Sequence, residues 1–520
     1  MKKILLFGAG KSATVLIDYL LFTAAEENWF VRVADADLKL AQSKVGDSSF
    51  AKAISFDIND ENERAIAIQG ADIVISLLPP TLHFLVAEDC VRYSKNLLTA
   101  SYVDDKTEEL KDDIERKGLL FLCEMGLDPG IDHMSAMRVV DDIRSNGGSV
   151  VSFKSHCGGL VAPESDDNPW HYKISWNPRN IVMAGKAGAV YKENGEEIHL
   201  PYEQLFSLDN GIEVPGFGWY SYYANRDSLS YLPLYDLKGI DTFMRTTLRH
   251  PDFSFGWKNI IDLKLTNEEK MYETDGMSIS AFFKLHFEKF GFGEWLTKLL
   301  SSRLEYAKNM MEQLMNLMQA EQEALSEGEN PEDDFMMIDE KGELTTLNVD
   351  EVKNRAAESV AVQMHQANLT LKQLFFLGLN DDILINRGLC SAADVLQFIL
   401  ETKLALKPTD RDMIIMLHEI EYEEARPRSP KGSSAKQEYD EGKIRSQVQK
   451  LKSCLVVKGE DSVHTAMAKT VGLPLGIATK LILEGKIKET GLQIPVLLSI
   501  YKPVLEELAK HNIVFDEIPG

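Results

Sequence analysis

Short apolar runs alternate with amphipathic segments through the first 130 residues. The apolar runs predict strands at residues 3–7, 30–34, 53–56, 71–78, 96–100 and 118–123. Each run ends in a polar or turn-forming residue, and the segment after the first run has the pattern of a helix through about Ala24. This alternation predicts βαβ units around one parallel sheet, with Asp57, Ser76, Ser101 and Tyr102 on its ligand-binding side.

The turn after the first strand is Gly8-Ala9-Gly10-Lys11-Ser12-Ala13, which fits the pattern G-x-G-x-x-G/A. In that pattern Gly8 permits a tight turn, Gly10 lets a pyrophosphate approach the backbone, and Ala13 allows close packing of the helix on the strand. Backbone N–H groups at the start of the helix would hold the phosphates. The turn therefore indicates a dinucleotide site, although similar glycine-rich turns also occur for structural reasons.

Two acids, Asp35 and Asp37, follow the second predicted strand at the distance where an acid binds the hydroxyl groups of an adenosine ribose. Because a carboxylate at this place repels a 2′-phosphate, the pattern favours NAD over NADP. The alternative interpretation is a solvated acidic loop, since charged residues after strands are usually exposed.

A polar turn at residues 124–133 follows the sixth apolar run and contains three carboxylates and an imidazole. Ligands of parallel sheets bind outside the carboxyl ends of the strands, so an active site is expected here. Pro129 and Gly130 would fix the bend that presents Asp128. We expect this turn to be the hinge between a nucleotide domain and a substrate domain.

The hydrophobic pattern changes after this turn. A helix is predicted at residues 134–145 and a strand at 150–155, followed by turn-rich aromatic segments. From about residue 262 to residue 405 the pattern is helical, with a long amphipathic helix at 294–325 and an acidic loop at 326–343. Further predictions are strands at 413–422 and 452–458, a charged loop at 426–442, and a helix at 464–471 that ends at Gly472-Leu473-Pro474.

The composition is that of an ordinary globular protein, with 520 residues, 44% hydrophobic and 26% charged, and its length predicts two or three domains. The net charge of −25 disfavours nucleic acid or an anionic membrane as a partner. Five cysteines without paired spacing indicate reduced thiols in a cytoplasmic protein and give no metal motif. The apolar start is interrupted by glycines and Lys11, unlike a secretory signal, and we expect no bilayer-spanning run.

Several segments together closely resemble saccharopine dehydrogenase of the glutamate-forming type: GAGKSA, SLLPP, ASYVD, EMGLDPGIDHM, SHCGGLVAPESDDNPWHYKISWNPR, YANRDS, MRTTLR and HTAMAKTVGLP. The resemblance implies an α/β fold with a Rossmann-like parallel-sheet nucleotide domain, a mixed α/β substrate and dimerisation domain, and an inserted all-helical domain. We expect the nucleotide domain at residues 1–130, with 475–520 as its candidate completion. We expect the substrate and dimerisation domain at 131–261 with 406–474, and the helical domain at 262–405.

The resemblance also implies the chemistry and the partners. The enzyme would convert saccharopine and water to glutamate and 2-aminoadipate 6-semialdehyde, with NAD or NADP as the oxidant. The reaction belongs to lysine metabolism, and the enzyme would be a homodimer. The family's cofactor contacts fall on Gly10, Lys11, Ser12, Ala13, Asp35, Ala36, Asp57, Ile58, Leu78, Ser101, Leu127, Asp128, Pro129 and Ser175. Its substrate contacts fall on Ser101, Tyr102, Asp128, Arg226, Arg245, Thr246 and Thr247.

Saccharopine carries three carboxylates and two amines, so Arg226 and Arg245 are expected to grip carboxylates and Asp128 to receive an amine. Candidates for the general base are Asp128, His133, Tyr102 and Cys157, of which we rank Asp128 first because the resemblance and the local chemistry agree there. Tyr102 is its expected catalytic partner. Two alternatives remain open, a carboxynorspermidine-type dehydrogenase and a non-catalytic scaffold that senses dinucleotides.

Overall fold

The computed structural model describes residues 1–207, 210–327, 336–338, 344–346, 349–424 and 448–520. The predicted charged loop at 426–442 lies outside these ranges, and so does most of the predicted acidic loop at 326–343. The chain divides into two compact units. The first comprises residues 1–167, 171–254 and 404–520, and the second comprises 168–170 and 255–403. The expected division into three domains stays a prediction.

The first unit begins with strands that alternate with helices. The strands are β1 (Lys3–Phe7), β2 (Phe30–Ala34), β3 (Ala51–Ile54), β4 (Ile73–Ser76), β5 (Asn96–Thr99) and β6 (Leu120–Leu122). The helices are α1 (Thr14–Glu27), α2 (Leu38–Val45), α3 (Glu61–Gln69), α4 (His83–Arg92), α5 (Asp105–Glu108) and α6 (Lys111–Arg116). The strands pair in parallel in the order β6-β5-β4-β1-β2-β3, which confirms the Rossmann-like sheet; β3 begins two residues earlier than predicted.

Helix packing on both faces explains why these strands have apolar runs instead of an alternating pattern. All four residues of β4 and all three of β6 are buried. One face of the sheet packs through Ile4, Leu6 and Ile75 into the largest apolar cluster, and the other face packs through Leu5 and Phe7 into a second cluster. The parallel arrangement places the carboxyl ends of β1, β2, β4 and β5 along one edge.

The chain then forms a mixed region. Its elements are α7 (Ile131–Ser145), β7 (Ser149–Val161), α8 (Pro178–Val182), β8 (Ala189–Glu193), β9 (Glu196–Leu200), α9 (Tyr202–Leu205), β10 (Gly211–Val214), β11 (Gly218–Ala224), β12 (Arg226–Asp227), β13 (Thr242–Arg249) and α10 (Pro251–Asp262). The strand predicted at 150–155 is therefore much longer, because β7 extends through the segment SHCGGLV.

The second unit is mainly helical. Its elements are β14 (Lys270–Glu273), α11 (Ile279–Phe290), α12 (Phe292–Glu327), β15 (Met336–Ile338), β16 (Leu344–Thr346), α13 (Val349–Leu377), β17 (Leu389–Ser391) and α14 (Ala392–Lys403). The long amphipathic helix predicted at 294–325 is confirmed by α12, which packs along α13 and buries Ala307.

The last segment returns to the first unit with β18 (Asp412–Glu423), β19 (Val448–Lys458), α15 (Ala466–Leu483), β20 (Gly491–Gln493), α16 (Leu498–Lys510) and β21 (Asp516–Pro519). Strand β20 pairs in parallel with β6 and extends the first sheet to seven strands. Strands β18, β19 and β21 join the mixed sheet, whose main order is β10-β11-β13-β7-β18-β19-β21. Strand β7 is central to it, with β13 parallel on one side and β18 antiparallel on the other.

The prediction that a helix ends at Gly472-Leu473-Pro474 is wrong, because α15 continues through Pro474 to Leu483. Proline removes one helical hydrogen bond, but most of α15 is buried and it packs along α1. Burial of its side chains outweighs the local preference for a break. This helix has the length and mean hydropathy of a bilayer span, yet 72% of it is buried inside the protein, as in the core helix of a globular fold.

Candidate active site

A cleft of about 1310 Å³ runs along the carboxyl ends of the first sheet and reaches β7 and β13 of the mixed sheet. Most of the residues expected at the site line it together: Gly8, Gly10, Lys11, Ser12, Ala13, Asp35, Ala36, Asp57, Ile58, Leu78, Ser101, Tyr102, Leu127, Asp128, Pro129, Arg226 and Thr247. Three expected residues, Ser175, Arg245 and Thr246, are not part of its wall. By the roles that the sequence predicts, we call the part of the cleft at the glycine-rich turn its nucleotide end and the part around Asp128 its substrate end.

The glycine-rich turn has the geometry that a pyrophosphate site requires. Gly8 has a φ of +99°, and a Cβ there would lie 2.7 Å from the carbonyl oxygen of Leu77. A Cβ on Gly10 would meet nothing within 4 Å, so the space above Gly10 is open. A short 3₁₀ helix, Lys11–Ala13, begins beside this space and leads directly into α1, and a helix start leaves N–H groups without a partner inside the helix. The residues present thus fit a bound dinucleotide.

The carboxylate of Asp35 supports this turn from the end of β2. One oxygen accepts a hydrogen bond from the N–H of Ala9 at 2.7 Å, and the other accepts from the N–H of Asp37 at 2.9 Å. Because an ionised carboxylate has about four acceptor positions, two remain for ribose hydroxyl groups. The side chain of Asp37 instead caps α2 by accepting from the N–H groups of Lys39 and Leu40.

His83, which no sequence pattern indicated, is a buried histidine that lines the cleft. One ring nitrogen lies 2.8 Å from the hydroxyl of Ser76, and the other lies 2.7 Å from the hydroxyl of Ser101. Burial lowers the pKa of His83 to about 4, so the neutral ring has one donor and one acceptor. It thereby orients Ser101. The signal in the sequence was a histidine just after the turn Pro79-Pro80 at a strand end.

The turn at residues 124–133 folds back on itself. The N–H of Gly126 donates to the carbonyl of Pro129, and the N–H of Ile131 donates to the carbonyl of Gly126. A Cβ on Gly130, which has a φ of +146°, would lie 2.1 Å from the carbonyl oxygen of Gly126. Only glycine fits at that position. The loop therefore presents Asp128 at a fixed place between the two sheets.

A buried arginine holds two carboxylates of this turn. Arg245 projects from β13, and its Nη2 donates to Oδ1 of Asp128 at 2.6 Å and to Oδ2 of Asp132 at 2.7 Å. Arg245 and Asp132 are both 2% exposed, whereas the side chain of Asp128 keeps 13% exposure and faces the cleft. Arg245 thus neutralises charge within the protein, which differs from the expected role of gripping a substrate carboxylate directly.

His133 lies behind this pair and does not reach the cleft. It is fully buried, with Nδ1 at 2.6 Å from the hydroxyl of Tyr235 and Nε2 at 2.9 Å from Oε2 of Glu124. The hydroxyl of Tyr231 also donates to Glu124, and the ring of Tyr231 stacks on His133. Every polar atom of the imidazole is therefore occupied, which argues against the proposed role of His133 as general base.

The electrostatics of the substrate end differ between its two aspartates. Burial raises the pKa of Asp128 to about 6, although Arg245 opposes that change. Burial also acts on Asp132, but His133 and Arg245 hold the pKa of this carboxyl below its usual range. Two carboxylates that share one arginine thus have different proton affinities, which is the arrangement expected of an acid–base group beside a fixed charge.

The hydroxyl of Tyr102 lies 3.4 Å from Oδ1 of Asp128 and can donate to it. Burial raises the pKa of Tyr102 well above its usual value, so the hydroxyl stays protonated. Two guanidinium groups lie near its ring centroid, that of Arg226 at 5.0 Å and that of Arg245 at 5.8 Å. Arg226 is exposed at the cleft, and no carboxylate forms an ion pair with it in the described part of the chain.

Three further candidates have other environments. Thr246 is completely buried on the opposite face of β13, and its hydroxyl lies 2.7 Å from Nδ1 of His156. Ser175 is buried beside Asp412 and does not line the cleft. Cys157 lines the cleft, but burial raises the pKa of its thiol far above the usual value. A thiol that stays protonated is a poor nucleophile and a poor general base, so the environment of Cys157 does not favour a catalytic role.

Comparison with known proteins gives one consistent result. A family model described as the saccharopine dehydrogenase NADP binding domain matches residues 4–122. A second model, described as the saccharopine dehydrogenase C-terminal domain, matches residues 126–514. Together they account for nearly the whole chain, including both sheets.

Individual relatives agree with these models. Saccharopine dehydrogenase [NADP(+), L-glutamate-forming] from Saccharomyces cerevisiae is 30% identical over 99% of both chains. Alpha-aminoadipic semialdehyde synthase from Arabidopsis thaliana is 30% identical over 98% of this chain, which spans only 44% of that relative. The structure of apo saccharopine dehydrogenase (L-Glu forming) from Saccharomyces cerevisiae superposes over 100% of both chains with a TM-score of 0.73 and 27% identity.

Proposed function

The chain belongs to the saccharopine dehydrogenase family, and we propose that it interconverts saccharopine, NAD(P)⁺ and water with L-glutamate, 2-aminoadipate 6-semialdehyde and NAD(P)H. It is an oxidoreductase of lysine metabolism that acts on the CH–NH group of its donor and uses NAD or NADP. The observation that carries the proposal is one cleft in which a dinucleotide turn, Gly8 to Ala13, meets Asp128, Tyr102 and Arg226.

The nucleotide end supplies the cofactor site. The N–H groups at the start of α1 and the side chain of Lys11 would hold the pyrophosphate, and Asp35 would accept from the ribose hydroxyls. A cofactor held there would supply the hydride acceptor for the carbon next to the secondary amine of saccharopine. Ser101, held by His83, lies between this end and Asp128 and would position the reacting part of the substrate.

The substrate end supplies charge and proton transfer. Arg226 can bind a carboxylate bidentately because its guanidinium, which contacts the ring of Tyr102, has no ion-pair or hydrogen-bond partner in the described residues. Asp128 accepts the proton of the secondary amine or of the hydrolytic water, since its pKa of about 6 leaves it mostly ionised at neutral pH. Tyr102 donates a hydrogen bond to Asp128 and stabilises the ionised form. Arg245 and Asp132 act as positioning residues that hold Asp128 in place.

The direct test is an absorbance assay of NAD(P)H formation with saccharopine, with products identified by mass spectrometry. We expect glutamate and the semialdehyde in equal amounts. Formation of NAD(P)H with a carboxynorspermidine-type substrate and not with saccharopine would contradict the proposed substrate. Cofactor binding without turnover of any amine would support the scaffold alternative.

We further propose that the chain prefers NAD, although the yeast relative is named for NADP(+). A 2′-phosphate would meet the carboxylate of Asp35, and the nearby Lys44 is committed to Gly10 and Thr14 through its Nζ. The measurement is the ratio of kcat/KM for NAD to that for NADP. Asp35→Ala should lower this ratio toward one. Asp37→Asn should leave the ratio nearly unchanged, because the side chain of residue 37 caps α2. A wild-type preference for NADP would contradict the proposed preference for NAD and would leave the proposed reaction standing.

The compartment and the assembly are also proposals. All five cysteines are buried free thiols, which suits a reducing compartment such as the cytoplasm. The family resemblance supports a homodimer. Cell fractionation tests the first point, and light scattering after gel filtration tests the second.

A further inference from the structure

Two histidines and two aspartates meet outside the cleft, where β13 leads into α10. His250 and Asp252 belong to this junction, whereas Asp166 and His171 belong to the segment between β7 and α8. We call these four residues the His171 cluster. All of them lie in the first compact unit, and none of them lines the cleft. The proposed reaction therefore leaves the cluster without a function.

The side-chain donors of the His171 cluster are close together. One ligand atom from each of His171, His250 and Asp252 lies within 4.8 Å of the other two. Nε2 of His171 is 3.3 Å from Oδ2 of Asp252, and the rings of the two histidines face each other with centroids 3.9 Å apart. A tetrahedral zinc ion with bonds of about 2.0–2.1 Å holds its ligands roughly 3.4 Å apart. A tilt of the rings would bring the three donors to that spacing.

Asp166 supports His171 on the opposite side of its ring. Nδ1 of His171 lies 2.6 Å from Oδ2 of Asp166, so this nitrogen donates to the carboxylate and Nε2 faces Asp252. A carboxylate on the far nitrogen is the usual partner of a metal-binding histidine, because it fixes the tautomer and makes the other nitrogen a better donor to the metal. The cluster thus contains both the ligands and the group that orients one of them.

The charge and the exposure of the cluster suit a cation from solvent. Asp166 and Asp252 raise the pKa of His171 to about 9, so the metal-free protein holds a proton here. The side chain of His171 is 31% exposed and those of Asp166 and Asp252 are 21% and 20% exposed. An ion can therefore enter and the rings have room to tilt. A divalent ion would displace the proton and compensate both carboxylates.

The types of donor select the class of ion. Imidazole nitrogens suit zinc and the neighbouring first-row transition metals, whereas magnesium and calcium prefer oxygen ligands. Three protein ligands leave one position of a tetrahedral zinc ion for water. The two halves of the cluster are far apart in the sequence, which explains why no local spacing of histidines indicated a metal site.

We propose that His171, His250 and Asp252 bind one divalent ion of the zinc class, with Asp166 as the carboxylate that orients His171. The bound ion joins the segment before α8 to the start of α10 and stabilises their contact. This site is separate from the proposed reaction, so its test needs no turnover of substrate.

The test is calorimetric titration of chelator-treated protein with zinc chloride at pH 8, where fewer protons compete for His171 than at neutral pH. We expect wild type to bind one equivalent saturably and to bind no magnesium in the same range. His171→Ala and His250→Ala should abolish the binding, because each removes a ligand. Asp166→Asn should weaken it by about 10–100-fold, because it removes only the orienting carboxylate.

The matched control is His464→Ala. His464 is also a partly exposed histidine beside two aspartates, Asp18 and Asp461, but these three do not form a group with the spacing of metal ligands. This variant should bind zinc as wild type does. X-ray absorption at the zinc edge should show two imidazoles in the shell of the wild-type ion. Zinc should also raise the unfolding temperature of wild type and not that of His250→Ala.

Two results would overturn the inference. The first is wild-type protein that binds no zinc. The second is zinc binding with unchanged affinity in His171→Ala and His250→Ala, which would reveal an adventitious ion only. If these two variants fail to fold, Asp166→Asn decides, since it keeps all three ligands and should still lose affinity. An Asp166→Asn protein that binds zinc as tightly as wild type then counts against the inference.

Discussion

The nucleotide end of the cleft is held by backbone geometry, whereas the substrate end is held by buried charges. At the first, Gly8 and Gly10 leave space and the start of α1 offers N–H groups. At the second, Arg245 joins Asp128 to Asp132 below the surface of the cleft. A diphosphate can be bound by dipoles that recur in many proteins, but a tricarboxylate with two amines requires a particular set of charges.

This contrast predicts that the largest loss of stability follows removal of charge at the substrate end. Arg245→Leu should destabilise the protein by about 3–5 kcal/mol, because it leaves two buried carboxylates without their counter-ion. The matched control is Arg92→Leu, which removes an exposed ion pair with Glu61 and should cost far less, because solvent screens that pair. Thermal unfolding monitored by circular dichroism measures both. Equal, small decreases in the unfolding temperatures of the two variants would show that the charges at the substrate end are not essential to the fold.

At the nucleotide end, two neighbouring glycines should respond differently. Gly8→Ala should cost about 1–3 kcal/mol of stability, since its φ of +99° and its contact with Leu77 exclude a side chain. Gly10→Ala should leave unfolding unchanged, because Gly10 has a φ of −62° and open space above it. Its new methyl group would instead weaken cofactor binding by roughly tenfold, or about 1.4 kcal/mol. Calorimetric titration with the cofactor measures binding separately from stability. Cofactor binding by Gly10→Ala as tight as that of wild type would contradict the expected position of the pyrophosphate.

The same contrast explains what could be predicted from the sequence. The glycine-rich turn and Asp35 are local features, and the first six strands of the first sheet follow from their apolar runs, whereas β20, which joins this sheet from the end of the chain, was not predicted. The partners of Arg245 are more than 110 residues away along the chain, and no local pattern distinguishes an arginine that binds a substrate from one that binds Asp132. The alternation along β13, which separates Thr246 from Thr247, became visible only with the boundaries of that strand.

The helix break predicted at Pro474 is wrong for a related reason. The prediction used the local effect of proline, while the structure is decided by burial of α15 along α1, far away in sequence. His83 was missed because a single histidine has no periodicity, and its function depends on Ser76 and Ser101 on two different strands or their ends. Long-range contacts therefore determine most of what the sequence analysis did not resolve.

A smaller effect on stability is expected for a charged group that lies at neither end of the cleft and whose ion pairs are only partly buried. Asp166 and Asp252 raise the pKa of His171 to about 9 through hydrogen bonds, and its side chain keeps 31% exposure. Because the folded pKa exceeds the unfolded value of 6.5, the stabilisation is complete below about pH 6.5 and is lost as the pH rises through 9. In the metal-free protein, His171→Asn should therefore cost up to about 1 kcal/mol more at pH 6 than at pH 10.

Unfolding of wild type and His171→Asn at both pH values measures this difference. The control is His199→Asn, which removes a more exposed ion pair with Glu197 that solvent screens, and which should change stability less than His171→Asn does at pH 6. A difference between wild type and His171→Asn that grows toward pH 10 would contradict the assigned ion pairs.

The most direct test of the account is the pH profile of kcat/KM for saccharopine oxidation in wild type and Asp128→Asn. If Asp128 accepts a proton, the wild-type value should fall below a pH of about 6, where this carboxyl becomes protonated because burial raises its pKa. Asp128→Asn should lose activity by about 10²–10⁴-fold and should no longer show that decline. An Asp128→Asn enzyme that keeps the same acidic decline, with activity within tenfold of wild type, would show that Asp128 does not transfer the proton.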